Sequence, residues 1–249
     1  RRSSDLEALS LPFQDAEESN SFSVLKDMER LTHLHFSVRR ARHESVVEAL
    51  AALTRLKSLV LRTDASSQDA LSYVSHLTDL THLAVYGPED LYADGIIINP
   101  VTSLPPLWKL DHTLSLLTKL EELHLDCTVG KAGGSSFRNL KKLKRLVLES
   151  EDVEDDLFET LNTLPELKEL GFELLSHNHL QLLPHVTVIS RLMKLEVSGE
   201  LEQPNPCSYL VEGKLTSLRC LTVYFPQLSE NDQAELWTRF PCLRKLEYD

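Results

Sequence analysis

Leucines recur along this chain at fixed internal spacings. From Leu140 to Leu148 the order is LKKLKRLVL, that is Leu140-x-x-Leu143-x-x-Leu146-x-Leu148. The same phrase returns at Leu53–Leu61, Leu77–Val85, Leu117–Leu125, Leu164–Phe172, Ile189–Val197, Leu215–Val223 and Phe240–Tyr248. Met28–Phe36 is a slightly degraded copy, and Leu6–Leu11 lacks the first leucine. The last two apolar positions of each phrase alternate as in a strand, so both face one side and the residues between them face the other. Each phrase therefore predicts one short strand. Together they predict parallel strands whose leucines merge into a core that no single repeat could bury.

Between phrases the pattern turns helical. Ser45–Leu53 has apolar residues at helical spacing, and Ser67–Leu77 follows Ser66 and Ser67 as N-cap candidates. Glu151–Leu161 opens with acids that suit a helix N-terminus, and Ser229 stands in the cap position before Glu230–Phe240. In His177–Ile189, Pro184 is expected to end or kink any helix. Helices are wider than strands, so a stack with helices outside curves and leaves the sheet as the concave face.

The third leucine of each phrase recurs every 23–26 residues, except for one interval of 40 between Leu83 and Leu123. The excess defines an insertion at 87–113, with Ile96-Ile97-Ile98, Val101, Pro105-Pro106 and Trp108. Its isoleucines are too apolar to lie solvated, so the segment folds back on the array or is covered by a partner, folding back being the favoured expectation.

The phrase resembles the leucine-rich repeat consensus L-x-x-L-x-L, over essentially the whole chain. The resemblance implies an α/β fold: a leucine-rich repeat solenoid of about ten repeats, a curved horseshoe with a parallel sheet on the concave face and helices and loops on the convex face. Residues 1–249 form a single domain in this reading, expected to be a fragment of a longer protein. Many such repeats carry Asn or Cys three residues after the last leucine. Here those places hold Arg39, Asp64, Pro88, Thr128, Glu151 and Leu175 among others, so there is no asparagine ladder. That departure is similar to intracellular arrays, such as the arms of F-box leucine-rich repeat proteins and the sensor arms of nucleotide-binding immune receptors.

Composition narrows the partner. The chain has 26 basic and 38 acidic residues, a net charge of −12, which argues against nucleic acid or an anionic membrane and tolerates a basic protein. Cys127, Cys207, Cys220 and Cys242 are scattered, without C-x-x-C spacing, and point to a reducing compartment, cytoplasmic or nuclear. No G-x-S-x-G or H-E-x-x-H motif occurs, so no catalysis and no cofactor are expected. Gly130-Lys131-Ala132-Gly133-Gly134-Ser135-Ser136 lacks the spacing of a phosphate loop and reads as a flexible turn with permissive glycines.

The strand register allows the outward face to be written in columns. His33, Ser58, His82, Glu122, Arg145, Glu169 and Lys194 fall in the first. His35, Val60, Ala84, His124, Val147 and Gly171 fall in the second. His82 and Glu122 are lateral neighbours, read as an ion pair or hydrogen bond, not a metal site. The third column places Asp126, Glu149 and Glu173 in succession, with Tyr86 and Tyr224 to either side. Like charges on adjacent strands are unfavourable unless water or a cationic partner covers them. The expected partner-binding set on the concave face is thus Tyr86, Glu122, His124, Asp126, Arg145, Glu149, Glu169, Glu173 and Tyr224. Changing Asp126, Glu149 and Glu173 together to lysine is expected to leave the thermal midpoint intact and abolish partner binding; a partner-affinity titration checks this.

Overall fold

The computed structural model describes residues 5–15, 23–39, 44–63, 74–86, 107–132, 134–153, 156–173, 183–198, 210, 215–224 and 229–248. Ten strands are described: β1 (Ala8–Asp15), β2 (His33–Arg39), β3 (Ser58–Thr63), β4 (His82–Tyr86), β5 (Glu122–Ala132), β6 (Arg145–Val153), β7 (Glu169–Glu173), β8 (Lys194–Ser198), β9 (Cys220–Tyr224) and β10 (Lys245–Tyr248). They form one open sheet in chain order, and every pairing is parallel. The landmark leucines pair with one another from Leu9 to Leu246 without a slip. A one-residue shift would turn every leucine outward, so burial of one face fixes the register.

The core is a single column of leucines. Leu59, Leu61, Leu140, Leu143, Leu146, Leu195 and Leu221 are all fully buried. The phrase also has a member ahead of its first leucine. Leu25, Leu50, Val74, Leu114, Phe137, Leu161 and Val186 are buried three residues before it. Backbone geometry explains why. Leu77 N–H donates to Val74 C=O at 2.9 Å, and Leu80 N–H donates to Leu77 C=O at 2.9 Å. Two successive turns of this kind aim every third side chain inward before the chain straightens into a strand.

With no asparagine ladder, adjacent repeats are tied through main chain. The residue before each strand lends its carbonyl to two N–H groups of the next repeat. Glu121 C=O accepts from Lys144 (2.8 Å) and Arg145 (3.1 Å), and Lys144 C=O accepts from Lys168 (2.9 Å) and Glu169 (3.0 Å). The same double acceptance occurs at Glu7, Thr32, Lys57, Thr81, Lys168, Met193 and Arg219, so it spans every joint of the sheet. The two N–H donors are main chain at every joint; Thr32 Oγ1 and Thr81 Oγ1 add a third donor to Glu7 C=O and Lys57 C=O, and most of the other joint positions carry charge.

The helices are α1 (Glu44–Ala52), α2 (Leu107–Leu116), α3 (Asp156–Asn162), α4 (Leu183–Val186) and α5 (Glu230–Arg239). Ser229 caps α5 as expected: its hydroxyl accepts from Asp232 N–H while the Asp232 carboxylate accepts from Ser229 N–H. Three expectations need correction. Glu151 and Asp152 do not open a helix, because β6 runs on to Val153 and pairs with the still longer β5, Lys131 opposite Asp152. The helix starts at Asp156 instead, where the carboxylate accepts from Gly134 N–H at 2.8 Å.

The second correction follows from the same contact. Gly130–Ala132 is strand, and Gly134–Ser136 is a 3-10 turn. A Cβ on Gly134 would lie 2.2 Å from Thr160 Oγ1 and 2.7 Å from Asp156 O, so glycine is needed there for space. Thirdly, among the described residues Pro184 stands not at a helix end but in the first turn of α4, where a missing N–H costs nothing; residues 177–182 of the expected helix lie outside them. Most of the helix expected at Ser67–Leu77, and 87–106 of the insertion, lie outside the described residues. Trp108 falls within α2. No described helix is long and apolar enough to cross a membrane.

Leu146→Ala is expected to cost about 2–5 kcal/mol and Phe137→Ala about 3–5 kcal/mol, since both remove fully buried groups from a close-packed column. Urea denaturation measures both, and a near-neutral Phe137→Ala would remove the leading position from the repeat.

Candidate functional site

The outward columns expected from the sequence are the observed pairing partners. In the first, His82, Glu122, Arg145, Glu169 and Lys194 stand side by side on β4 to β8. From Glu122 to Lys194 the signs alternate, and neighbours meet: His82 Nε2 lies 3.4 Å from Glu122 Oε1, and Arg145 Nε lies 3.8 Å from Glu169 Oε2. Lys194 turns along its own strand to Glu196 at 3.4 Å. These groups are about half exposed, so each pair contributes little to stability. The row is a self-neutralising rim.

The second feature is a chain of contacts through Arg62, Tyr86, His124 and Glu149. Arg62 Cζ sits 4.9 Å above the Tyr86 ring, and the Tyr86 and His124 rings meet edge to face at 4.6 Å. Tyr86 Oη is 3.1 Å from His124 Nδ1, and His124 Nε2 is 2.9 Å from Glu149 Oε1. The tautomer with hydrogen on Nε2 satisfies both: the tyrosine hydroxyl donates to Nδ1, and Nε2–H donates to the carboxylate. Among the described residues, His124 and Glu149 are the most covered hydrogen-bonded pair of this kind on the face, 25% and 31% exposed. A hydrogen bond held there is worth more than one in the rim.

Between these two features lies a hollow of about 340 Å³. Its floor is Val60, Ala84 and Val147 from the central column, with Ser58 beside them. His82, Glu122 and Arg145 stand along one side, and Tyr86 and His124 along the other. It exists because Ala84 occupies the central column between Val60 and His124. A large residue there would close it.

Several expected residues are placed differently from the picture of a free acidic strip. Asp126, Glu149 and Glu173 are in register on β5, β6 and β7. Glu149, however, is already held by His124. The side chains of Asp126 and Glu173 lie outside the described set. Tyr86 is a half-buried member of the network, whereas Tyr224 on β9 is 40% exposed, five strands away. The hollow brings together Tyr86, Glu122, His124 and Arg145, and not the described Glu149, Glu169 or Tyr224. Its floor was missed because the columns were scanned for charge and not for volume; the succession Ser58, Val60, Ala84 is the signal.

Toward β10 the face ends in a second polar group. Glu247 accepts from Lys245 Nζ at 2.6 Å and from Thr222 Oγ1 at 3.2 Å, and the lysine bond first of all holds its carboxyl below the usual range. His35 Nε2 is buried without a hydrogen-bond partner among the described residues. No group of three His, Cys, Asp or Glu among the described residues is placed to hold a metal ion.

Inter-repeat pairs set a pH dependence. The carboxyls of Asp79 and Glu121 are held below their usual range by hydrogen bonds from Lys119 and Lys144. Carboxyls lowered in the folded state contribute stability above their unfolded pKa of about 4, and that contribution is lost as pH falls through the folded value. A modest, salt-sensitive fall of the thermal midpoint is therefore expected below about pH 4, smaller in the Lys119→Ala/Lys144→Ala variant; thermal melts across pH measure it.

The sequence matches no protein-family model and no curated protein. Solved structures do match. An internalin from Listeria monocytogenes superposes with a TM-score of 0.53 at 17% identity, over 91% of this chain and 57% of that one. A chain of the Toll–Spätzle complex from Drosophila superposes with a TM-score of 0.56 at 14% identity, over 96% of this chain and 30% of that one. The chain thus spans about half of the first and less than a third of the second. Identities this low speak for architecture alone. Ten in-register parallel strands, each opened by the same leucine phrase, and this likeness together show that the chain folds as a leucine-rich repeat solenoid.

Proposed function

We propose that this chain is a non-enzymatic recognition module that binds a partner protein on the exposed, concave face of its sheet. The observation that carries the proposal is the hollow over Ala84. Along the first column charges are paired, laterally at His82–Glu122 and Arg145–Glu169 and within one strand at Lys194–Glu196, whereas the hollow beside them offers an apolar floor inside a polar rim. That is the anatomy of an interface anchor: a fully desolvated pocket for one partner side chain, ringed by groups that exclude water. Its volume accommodates an aromatic side chain, with Glu122 and Arg145 on the rim for the polar tip. The register of Asp126, Glu149 and Glu173 supports a basic patch on the same partner, beside the anchor.

The partner complex named for the Drosophila neighbour, Toll with Spätzle, is a property of that protein. It supports the general use of this architecture in protein binding. The same face would serve the substrate arm of an F-box-type ubiquitin ligase subunit or the sensor arm of an intracellular immune receptor. A cytoplasmic location accords with the unpaired cysteines described, Cys220 and Cys242.

Ala84→Trp is expected to fill the hollow, leave the thermal midpoint unchanged and weaken a purified partner by about thirtyfold or more, the effect of losing an anchor worth roughly 2 kcal/mol. Isothermal titration with a partner captured on the immobilised array reads this out. Unchanged affinity would remove the hollow from the interface.

A further inference from the structure

The whole-chain charge of −12 hides a strongly basic edge. Within each phrase the three residues that lead from the first leucine to the strand, positions two, three and five, lie on the turn side of the sheet. In the repeats of β5 to β10 those positions hold eight Lys or Arg and two acids: Lys119, Lys141, Lys142, Lys144, Lys168, Arg191, Arg219 and Arg244 against Glu121 and Glu166. Eighteen residues thus carry +6 while the chain as a whole is acidic.

The charges are available. All but Arg191 are exposed, and Arg191 is half-buried with its guanidinium on the carbonyls of Leu164 and Asn162. Lys119 and Lys144 tie repeats together through Asp79 and Glu121. Glu121 also lies in the field of Lys142, and Glu166 in that of Lys144, so both acids are compensated within the edge. Lys141, Lys168, Arg219 and Arg244 have no acidic partner among the described residues. Lys168, Arg219 and Arg244 belong to the carbonyl ladder, and Lys141 N–H donates to Asn139 C=O in the turn ahead of it, so the backbone of the row is held in place.

The partner follows from what the row lacks. Its positions hold no aromatic side chain on which a base could stack and no Asn or Gln to read a base edge. The row is also short. Five strand spacings of about 4.8 Å make about 24 Å, the length of about seven or eight extended residues at 3.3 Å each. A long polyanion would run on into the acidic remainder of the molecule, whereas a short one need not, since the field of that remainder decays within about 8–10 Å. We propose that the turn edge from β5 to β10 is a second interaction surface, which binds a short, extended, acidic segment of a partner protein.

The test uses the full chain and a fluorescent peptide of about eight Asp and Glu residues, followed by anisotropy at low and physiological salt. The expected result is saturable binding that weakens with salt, with Kd raised about tenfold or more in the variant Lys141→Glu/Lys168→Glu/Arg219→Glu/Arg244→Glu, whose thermal midpoint stays near that of the parent. The Ala84→Trp variant retains peptide binding, which separates this surface from the sheet face. Unchanged peptide affinity in the quadruple variant overturns the proposal. So does binding of oligo-dT or of phosphatidylserine vesicles that equals or exceeds that of the peptide.

Discussion

Each repeat is joined to the next by one carbonyl accepting two N–H groups, at the residue immediately before the strand. Burial of the leucine face fixes the register of all ten strands, that joint closes each repeat onto the next in that register, and the register sets everything else. It puts the landmark leucines in one buried column and the intervening residues in open columns. The joint itself is main chain throughout, with the Thr32 and Thr81 hydroxyls adding to it at two places. An asparagine ladder would spend a polar residue per repeat on the same task. Here the turn positions are free to vary, and what they carry is lysine and arginine.

The molecule is consequently polarised across its sheet. Where the strands begin, cations accumulate; where they end, Asp126, Glu149 and Glu173 follow one another. The two margins are separated by a strand of five residues, about 16 Å, beyond a Debye length at physiological salt. Between them the face is neither strongly basic nor strongly acidic, because His82, Glu122, Arg145 and Glu169 alternate and pair. A partner that met all three zones would be oriented by charge and anchored in the hollow. The tyrosine–histidine–glutamate chain holds one wall of that hollow in place, so the anchor is preformed.

Sequence and structure agree most closely where a single force decides. Leucine burial has a period of two in the strand and three in the turn, so the phrase reveals strands, register and outward columns directly. Legibility fails where two signals share one residue. Leu161 and Val186 lie in the last turns of α3 and α4 and Phe137 follows a 3-10 turn, yet each is also the leading buried member of a phrase, a second role that the sequence does not mark. Glu151 and Asp152 carry the charge of a helix start, but pairing with a long β5 outweighs it. Gly134 looks like a flexible turn residue and is instead a point of close approach to Thr160. The basic edge was hidden by summing charge over the whole chain, and the hollow by sorting columns on charge rather than on size.

The central claim is that recognition happens on the sheet and not on the helical side. A photo-crosslinking amino acid placed at Glu169, beside the hollow's rim, and separately at Glu159 on α3, tests it directly, since position 159 is exposed on a return helix of the same repeat region. With one purified partner, the account predicts a covalent adduct from position 169 and none from position 159. Adducts from position 159 alone would contradict it.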